Sequence, residues 1–398
     1  MCEVERHNPE TEEASVGIRL TPIDWLVVAG ILCVVAFCLP AVWRLYEGFV
    51  PDKNYRVPDP LTEDYWHYTR YVNEVAAEPG ILLVGDSVVW GRYVRSEETL
   101  STYLHEQTAM KFWNLGLNGL HPLALEGLLR YHAKDLHEKY IVLFYNPLWV
   151  SSPKRDLNVT EEFSFNHPRL VPQFQPFIPC YRESMETRAE IVVARYMPLR
   201  QIATHLSIAY YQSMTLPRWT IEFPYRCVLR AFDNPFPDPD FGVQEDRRSW
   251  IERGISPQSF KWMNPEQSLQ WAAFQKAALY LRDKGNAVFI VVAPFNEYII
   301  ADDSRPGYER ILSTAKQWFI EQEFAYYLFP VMPSELFADA SHPTKEGYQY
   351  LARELLEQDT FQVFLEQFKA KQMTGTHVAS ISRRWSSVLG EAEQHAFP

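Results

Sequence analysis

Lysine and arginine nowhere gather into a long run, and the formal net charge of the chain is -12. Both facts argue against the phosphate backbone of a nucleic acid as a main partner, because such surfaces need concentrated positive charge. Cysteine is scarce, with five in 398 residues. Cys2, Cys33 and Cys38 fall in or before an apolar stretch near the start, which leaves Cys180 and Cys227 as the only pair downstream. One disulfide in an oxidising compartment and two buried free thiols are both open readings of that pair. No Cys/His spacing resembles a zinc site.

What is present is an aromatic-rich globular composition, 47% hydrophobic, 15% aromatic and 22% charged, together with one long uncharged run. WLVVAGILCVVAFCLPAVW, residues 25–43, lies between Asp24 and Arg44. At about 1.5 Å per residue it reaches across a hydrocarbon core of about 30 Å, and its terminal tryptophans suit the two interfaces. We expect a transmembrane helix over 25–43, preceded by an acidic tail over 1–24. A cleaved signal peptide fits less well, since Glu3, Glu5, Glu10, Glu12 and Glu13 lead the chain and no clean small-x-small site follows. Residues 44–62 are polar and carry Pro51, Pro58 and Pro60, which predicts a semi-rigid stalk. The flanking charges, Arg6 and Arg19 against Arg44, Lys53 and Arg56, lean faintly towards a cytoplasmic C-terminal part.

Beyond the stalk, apolar runs alternate with helical patterns. Strands are expected at 81–84, 111–115, 140–145, 287–293 and 325–329, and helices at 97–108 (with Ser96 as N-cap), 123–137, 268–284, 308–322 and 344–357. The βαβ order implies parallel pairing with right-handed crossovers. The fold class is therefore α/β, a flavodoxin-like doubly wound parallel sheet, in a domain over 63–372. A segment over about 151–264, rich in proline and aromatics (NPFPDPDFG; Trp219, Trp250, Trp262), reads as an insertion over the active-site rim or as a second small core. Residues 373–398 form a polar C-terminal tail.

Chemistry concentrates at two places. Gly85-Asp86-Ser87 follows the first strand, at the rim where open α/β sheets bind ligands. Asp339-Ala340-Ser341-His342 lies on one loop after the last strand. A serine hydroxyl becomes a nucleophile when an imidazole takes its proton, and the imidazole needs a carboxylate to fix its tautomer. Ser87, His342 and Asp339 are the candidate catalytic residues. The G-x-S-x-G elbow is absent around Ser87, which disfavours an α/β-hydrolase.

These motifs resemble the SGNH (GDSL-type) hydrolase family. GDSVVWG (85–91) matches the nucleophile block, NLGLNG (114–119) the glycine block, and DASHPTKEGYQYLA (339–352) the D-x-x-H-P block before a helix. In the third block Asn146 follows the strand YIVLFY, but Pro147 stands where the family carries Asp. The resemblance implies an oxyanion hole made by the N–H of Ser87, the N–H of Gly119 (Gly116 being the second choice) and the Asn146 amide. Asn296, in APFNEY, is a further polar rim candidate without an assigned role.

The resemblance implies an O-acyl esterase or acyltransferase that needs neither metal nor organic cofactor. Tethered relatives act on ester-linked acyl groups, acetyl above all, of extracytoplasmic polysaccharides, sometimes beside a membrane-bound O-acyltransferase. An outward-facing, periplasmic domain follows from that likeness and not from the flanking charges. A lipid esterase at the membrane surface and a non-catalytic glycan-binding or scaffold partner of an acyltransferase are the alternatives.

Overall fold

A computed structural model describes residues 21–226, 237–243, 245–246 and 248–374. The acidic N-terminal tail up to residue 20, the C-terminal tail from residue 375 and Cys227, one member of the expected cysteine pair, lie outside the described residues. Cys180 is a buried free thiol whose sulfur donates to the Leu157 carbonyl at 3.5 Å.

Helix α1 spans Pro22–Glu47, longer at both ends than the uncharged run. Thr21 and Asp24 cap it reciprocally: the Asp24 N–H donates to Thr21 Oγ1, and the Thr21 N–H to Asp24 Oδ2. Gly48 ends it in the left-handed region, at φ 58°. By length and composition α1 is able to cross a membrane.

The second unit starts at Phe49. Residues read as a stalk belong to it. Tyr55, Val57 and Leu61 are buried, and Phe49 packs its ring on Tyr55 and His67. Arg56 is fully buried, donating to the carbonyls of Trp90, Gly91 and Val94 and pairing with Asp240 at 2.8 Å. Polar composition misleads here because the charge is neutralised by groups distant in sequence.

The elements continue as α2 (Tyr65–Ala77), β1 (Ile81–Val84), α3 (Ser87–Trp90), α4 (Leu100–Thr108), β2 (Phe112–Asn114), α5 (Pro122–His132) and β3 (Tyr140–Tyr145). Next come α6 (Met185–Ala194), α7 (Pro198–Tyr210), α8 (Leu216–Glu222), α9 (Leu269–Asp283), β4 (Ala287–Val292), α10 (Arg305–Glu321), β5 (Ala325–Leu328), α11 (Lys345–Leu356) and α12 (Asp359–Thr374). The strands form one parallel five-stranded sheet in the order β2-β1-β3-β4-β5. Winding reverses between β1 and β3, the point at which such sheets open a crevice.

Strand side chains alternate between two apolar layers, as a sheet covered on both faces requires. Leu82, Val84, Ile141, Leu143, Ile290 and Val292 pack towards α2, α5 and α9. Ile81, Leu83, Val142, Phe144, Phe289 and Val291 pack towards α4, α11 and α12. α2, α3, α7, α8 and α12 are additions to the expected elements. Two expected helices are shorter than their patterns: Ser96–Glu98 is a separate 3-10 turn, because Thr99 is extended (φ -80°, ψ 162°), and α5 stops at His132. The chain between β3 and β4 is woven into both layers, through Leu157, Leu170, Val171, Ile178 and Tyr181 on one side and Trp250 on the other. Trp219 and Trp250 are buried packing residues.

Candidate active site

All the singled-out residues follow carboxyl ends of strands, on one edge of the sheet. After β1 the chain turns at Gly85 and enters α3, whose N-cap is Asp86: its Oδ1 accepts from the Val88 N–H at 3.0 Å. Ser87 is thus the first residue of α3, where a backbone N–H has no intrahelical acceptor. Among the described residues the Ser87 N–H has no hydrogen-bond partner. The loop after β5 brings the other partners. Ala338 and His342 close it by a backbone bond of 2.9 Å, and Thr344 caps α11 behind it.

Ser87 Oγ lies 2.8 Å from His342 Nε2, although 255 residues separate them. His342 Nδ1 lies 2.8 Å from each oxygen of Asp339, whose Oδ1 also accepts the N–H groups of Ser341 and His342 at 3.0 Å. An ionised carboxylate only accepts, so Nδ1 carries the proton and Nε2 presents its lone pair to the serine. Burial pushes the Asp339 carboxyl up, but the His342 charge, its hydrogen bond and the two backbone N–H groups outweigh that and hold it well below the usual carboxylate range. Ser87 and His342 are buried; the Asp339 side chain is 24% exposed.

The two glycines of NLGLNG differ in what their N–H groups do. Gly116 donates to Asn114 Oδ1 at 3.0 Å, and a Cβ there would stand 2.4 Å from the Trp90 nitrogen. Gly119 adopts φ 75°, and its N–H has no hydrogen-bond partner among the described residues. Asn146 has two tasks already: its Oδ1 accepts from the Leu148 N–H at 3.0 Å, and its Nδ2 donates to Asp86 Oδ2 at 2.7 Å, leaving one amide hydrogen. Asp86 Oδ2 also accepts the Trp149 indole N–H at 2.8 Å. No family model matches the chain, and it has no match among curated proteins.

Three supporting residues have no signal in the linear motifs. Tyr93 adopts the left-handed region, at φ 71°, a costly conformation for an aromatic residue. Its hydroxyl donates to Asp339 Oδ2 at 3.3 Å and accepts from Arg253 Nη2 at 3.3 Å. Arg253 also donates to the Ala338 carbonyl. Trp149, the third, is found only through its bond to Asp86. Asn296 is fully buried. Its backbone N–H donates to the Ala340 carbonyl at 2.9 Å, tying the end of β4 to the histidine loop. Among the described residues no group of His, Cys, Asp and Glu side chains is arranged to hold a metal ion.

Proposed function

We propose that this chain is a membrane-anchored serine O-acyl esterase or O-acyltransferase of the SGNH hydrolase type. The observation that carries the reading is the continuous relay from Ser87 Oγ through His342 to Asp339, with both links at 2.8 Å. His342 Nε2 takes the hydroxyl proton as Ser87 Oγ attacks the ester carbonyl, and Asp339 stabilises the imidazolium that forms. The tetrahedral oxyanion is met by the N–H groups of Ser87 and Gly119, whose lack of other acceptors supports this role, and by the remaining hydrogen of the Asn146 amide. One such donor contributes about 3 kcal/mol to the transition state. Collapse breaks the bond to the alcohol, which leaves with the proton from His342. Water or a sugar hydroxyl then attacks the acyl-serine, again deprotonated by His342.

By resemblance, the substrate we favour is an acetylated polysaccharide outside the cytoplasm, with α1 as the anchor and a membrane-bound O-acyltransferase as a partner. The test uses the full chain in detergent, with a fluorophosphonate probe and p-nitrophenyl acetate, beside Ser87→Ala and His342→Ala. Labelling and turnover present in the wild type and lost in both variants support the serine mechanism. A folded wild type that neither labels nor turns over would overturn it in favour of a glycan-binding or scaffold role. Cleavage of long-chain esters with none of acetyl esters would move the assignment to a lipid esterase.

A further inference from the structure

We infer that the cavity between α2, α6 and α7 is a binding site for a fatty acid, with the carboxylate at Arg195 and the chain laid along α6. The cavity measures about 520 Å³, within the range of about 300–1,000 Å³ usual for small-molecule pockets. Tyr65 and Trp66 of α2 line one side, and Ile191, Val193 and Met197 the other. No member of the Ser87 relay lines it.

Arg195 decides the charge of the ligand. It is 8% exposed. Its Nε and Nη2 donate to the Arg169 carbonyl, its Nη2 also to the Val171 carbonyl at 2.7 Å, and its guanidinium lies 4.4 Å over the Tyr131 ring. Among the described residues no carboxylate pairs with it. A buried cation held by carbonyl dipoles and a ring lacks the counter-charge that desolvation demands. Neighbouring acids are committed elsewhere: Glu63 to Arg169 at 3.6 Å, and Asp64 to His205 at 2.6 Å. Glu186 and Glu190 also line the cavity, but both are exposed on α6, a helix that buries none of its residues. Burial first, then the Arg195 and Arg169 charges, pushes the His132 imidazole in the cavity wall down to about 3. That imidazole is neutral at physiological pH and leaves Arg195 the buried cation of the wall.

The apolar half of the ligand is written in exposed side chains. Val193 is 52% and Met197 44% exposed at the cavity, a cost that an alkyl chain laid over them removes. A chain whose α1 is inserted in a bilayer meets such amphiphiles at high local concentration.

The test uses the full chain in phosphatidylcholine nanodiscs, a palmitic acid bearing a diazirine in its tail, irradiation, and peptide mapping. Labelling should concentrate on residues 185–201. Unlabelled palmitate should compete about tenfold better than hexadecanol, the margin expected from one charge-assisted contact. Val193→Glu, at an exposed position, should reduce labelling about tenfold with an unchanged thermal midpoint. Arg195→Gln should abolish the preference for palmitate over hexadecanol; if that variant does not fold, Val193→Glu carries the test. Labelling spread evenly over the surface, labelling unaffected by Val193→Glu, or equal competition by hexadecanol would each overturn the assignment. None of these readouts depends on turnover at Ser87.

Discussion

The hydroxyl of Tyr93 stands 3.3 Å from Asp339 Oδ2 while its ring meets the His342 imidazole edge-on, centroids 5.6 Å apart. One side chain thereby touches two members of the relay. Its ring also carries the Arg253 guanidinium at 4.6 Å and that of Arg92 at 5.2 Å. Tyr93→Phe keeps the ring and removes the bridge between Arg253 and Asp339. We expect kcat on p-nitrophenyl acetate to fall about five-fold, the equivalent of about 1 kcal/mol, with KM little changed. Steady-state kinetics check this; an unchanged kcat would remove Tyr93 from the supporting set.

Asp86 holds three donors that lie on two strand ends, the Val88 N–H, the Asn146 amide and the Trp149 indole. Its replacement by Ala removes the cap of α3 and one of the two hydrogen bonds that orient the Asn146 amide. A lost cap costs about 1 kcal/mol and hydrogen bonds to a charged group about 1.5–3 kcal/mol. Asp86→Ala should therefore lower stability by about 3 kcal/mol, and turnover should fall beyond what the residual folded fraction accounts for. Urea titration beside kcat separates the two effects. A loss of stability with turnover per folded molecule intact would make Asp86 a structural residue alone.

Against the upward push of burial, the His342 charge and hydrogen bond and two backbone N–H groups hold the Asp339 carboxyl in the folded chain below the ordinary aspartate value of 3.8. The sign follows from proton counting. In acid the unfolded chain binds the proton first, so the stabilisation from this group is complete above about pH 4 and is lost as pH falls through the lower folded value. Asp339→Asn removes the titration. The gap in urea midpoint between wild type and this variant should be wide at pH 7 and should narrow progressively below about pH 4. A gap independent of pH would mean that the native pairing of Asp339 does not depress its pKa. At pH 7 the same variant should lose turnover by about 10⁴-fold, because the imidazole tautomer is no longer fixed.

Strands covered on both faces are legible because burial leaves no polar position in them: ILLV at 81–84 and AVFIVV at 287–292 read as continuous apolar runs. Their parallel pairing follows from the helices between them. Short local motifs likewise point to Ser87, Asp339 and His342. Illegible are the contacts whose partners are far apart in the chain. Tyr93 and Arg253 are 160 residues apart, and neither carries a pattern of its own. The Ser96 N–H is taken by Asp240, 144 residues away, and the expected helix cap at Ser96 becomes a 3-10 turn. The segment 49–62 was disguised by its prolines and charges, since its burial depends on carbonyls of the 90–94 turn that composition cannot reveal.

That segment yields the most discriminating stability experiment. Arg56 enters from the start of the globular unit and donates to three carbonyls at the end of α3 and in the turn after it, those of Trp90, Gly91 and Val94, while its guanidinium lies 4.4 Å over the Trp90 ring. Its ion pair with Asp240 joins that turn to the chain between β3 and β4. Removing the cation leaves the Val94 carbonyl without a donor and leaves those of Trp90 and Gly91 with only long bonds, from Asn114 Nδ2 at 3.5 Å and the Val94 N–H at 3.4 Å, and breaking a buried pair costs about 3–5 kcal/mol. Arg56→Ala should therefore lower the urea midpoint sharply, and Arg56→Lys should recover only part of it, because one ammonium cannot reach four acceptors in a planar fork. Asp240→Asn should cost less than Arg56→Ala, since the Asp240 side chain is 27% exposed and the three carbonyl bonds survive. A fragment that begins after residue 59 lacks Arg56 altogether and should be destabilised like Arg56→Ala, whereas one that begins at Phe49 should not. If the shorter fragment matched the longer one in midpoint, residues 49–59 would be a tether after all, and the packing of Arg56 under α3 would contribute nothing to holding Ser87.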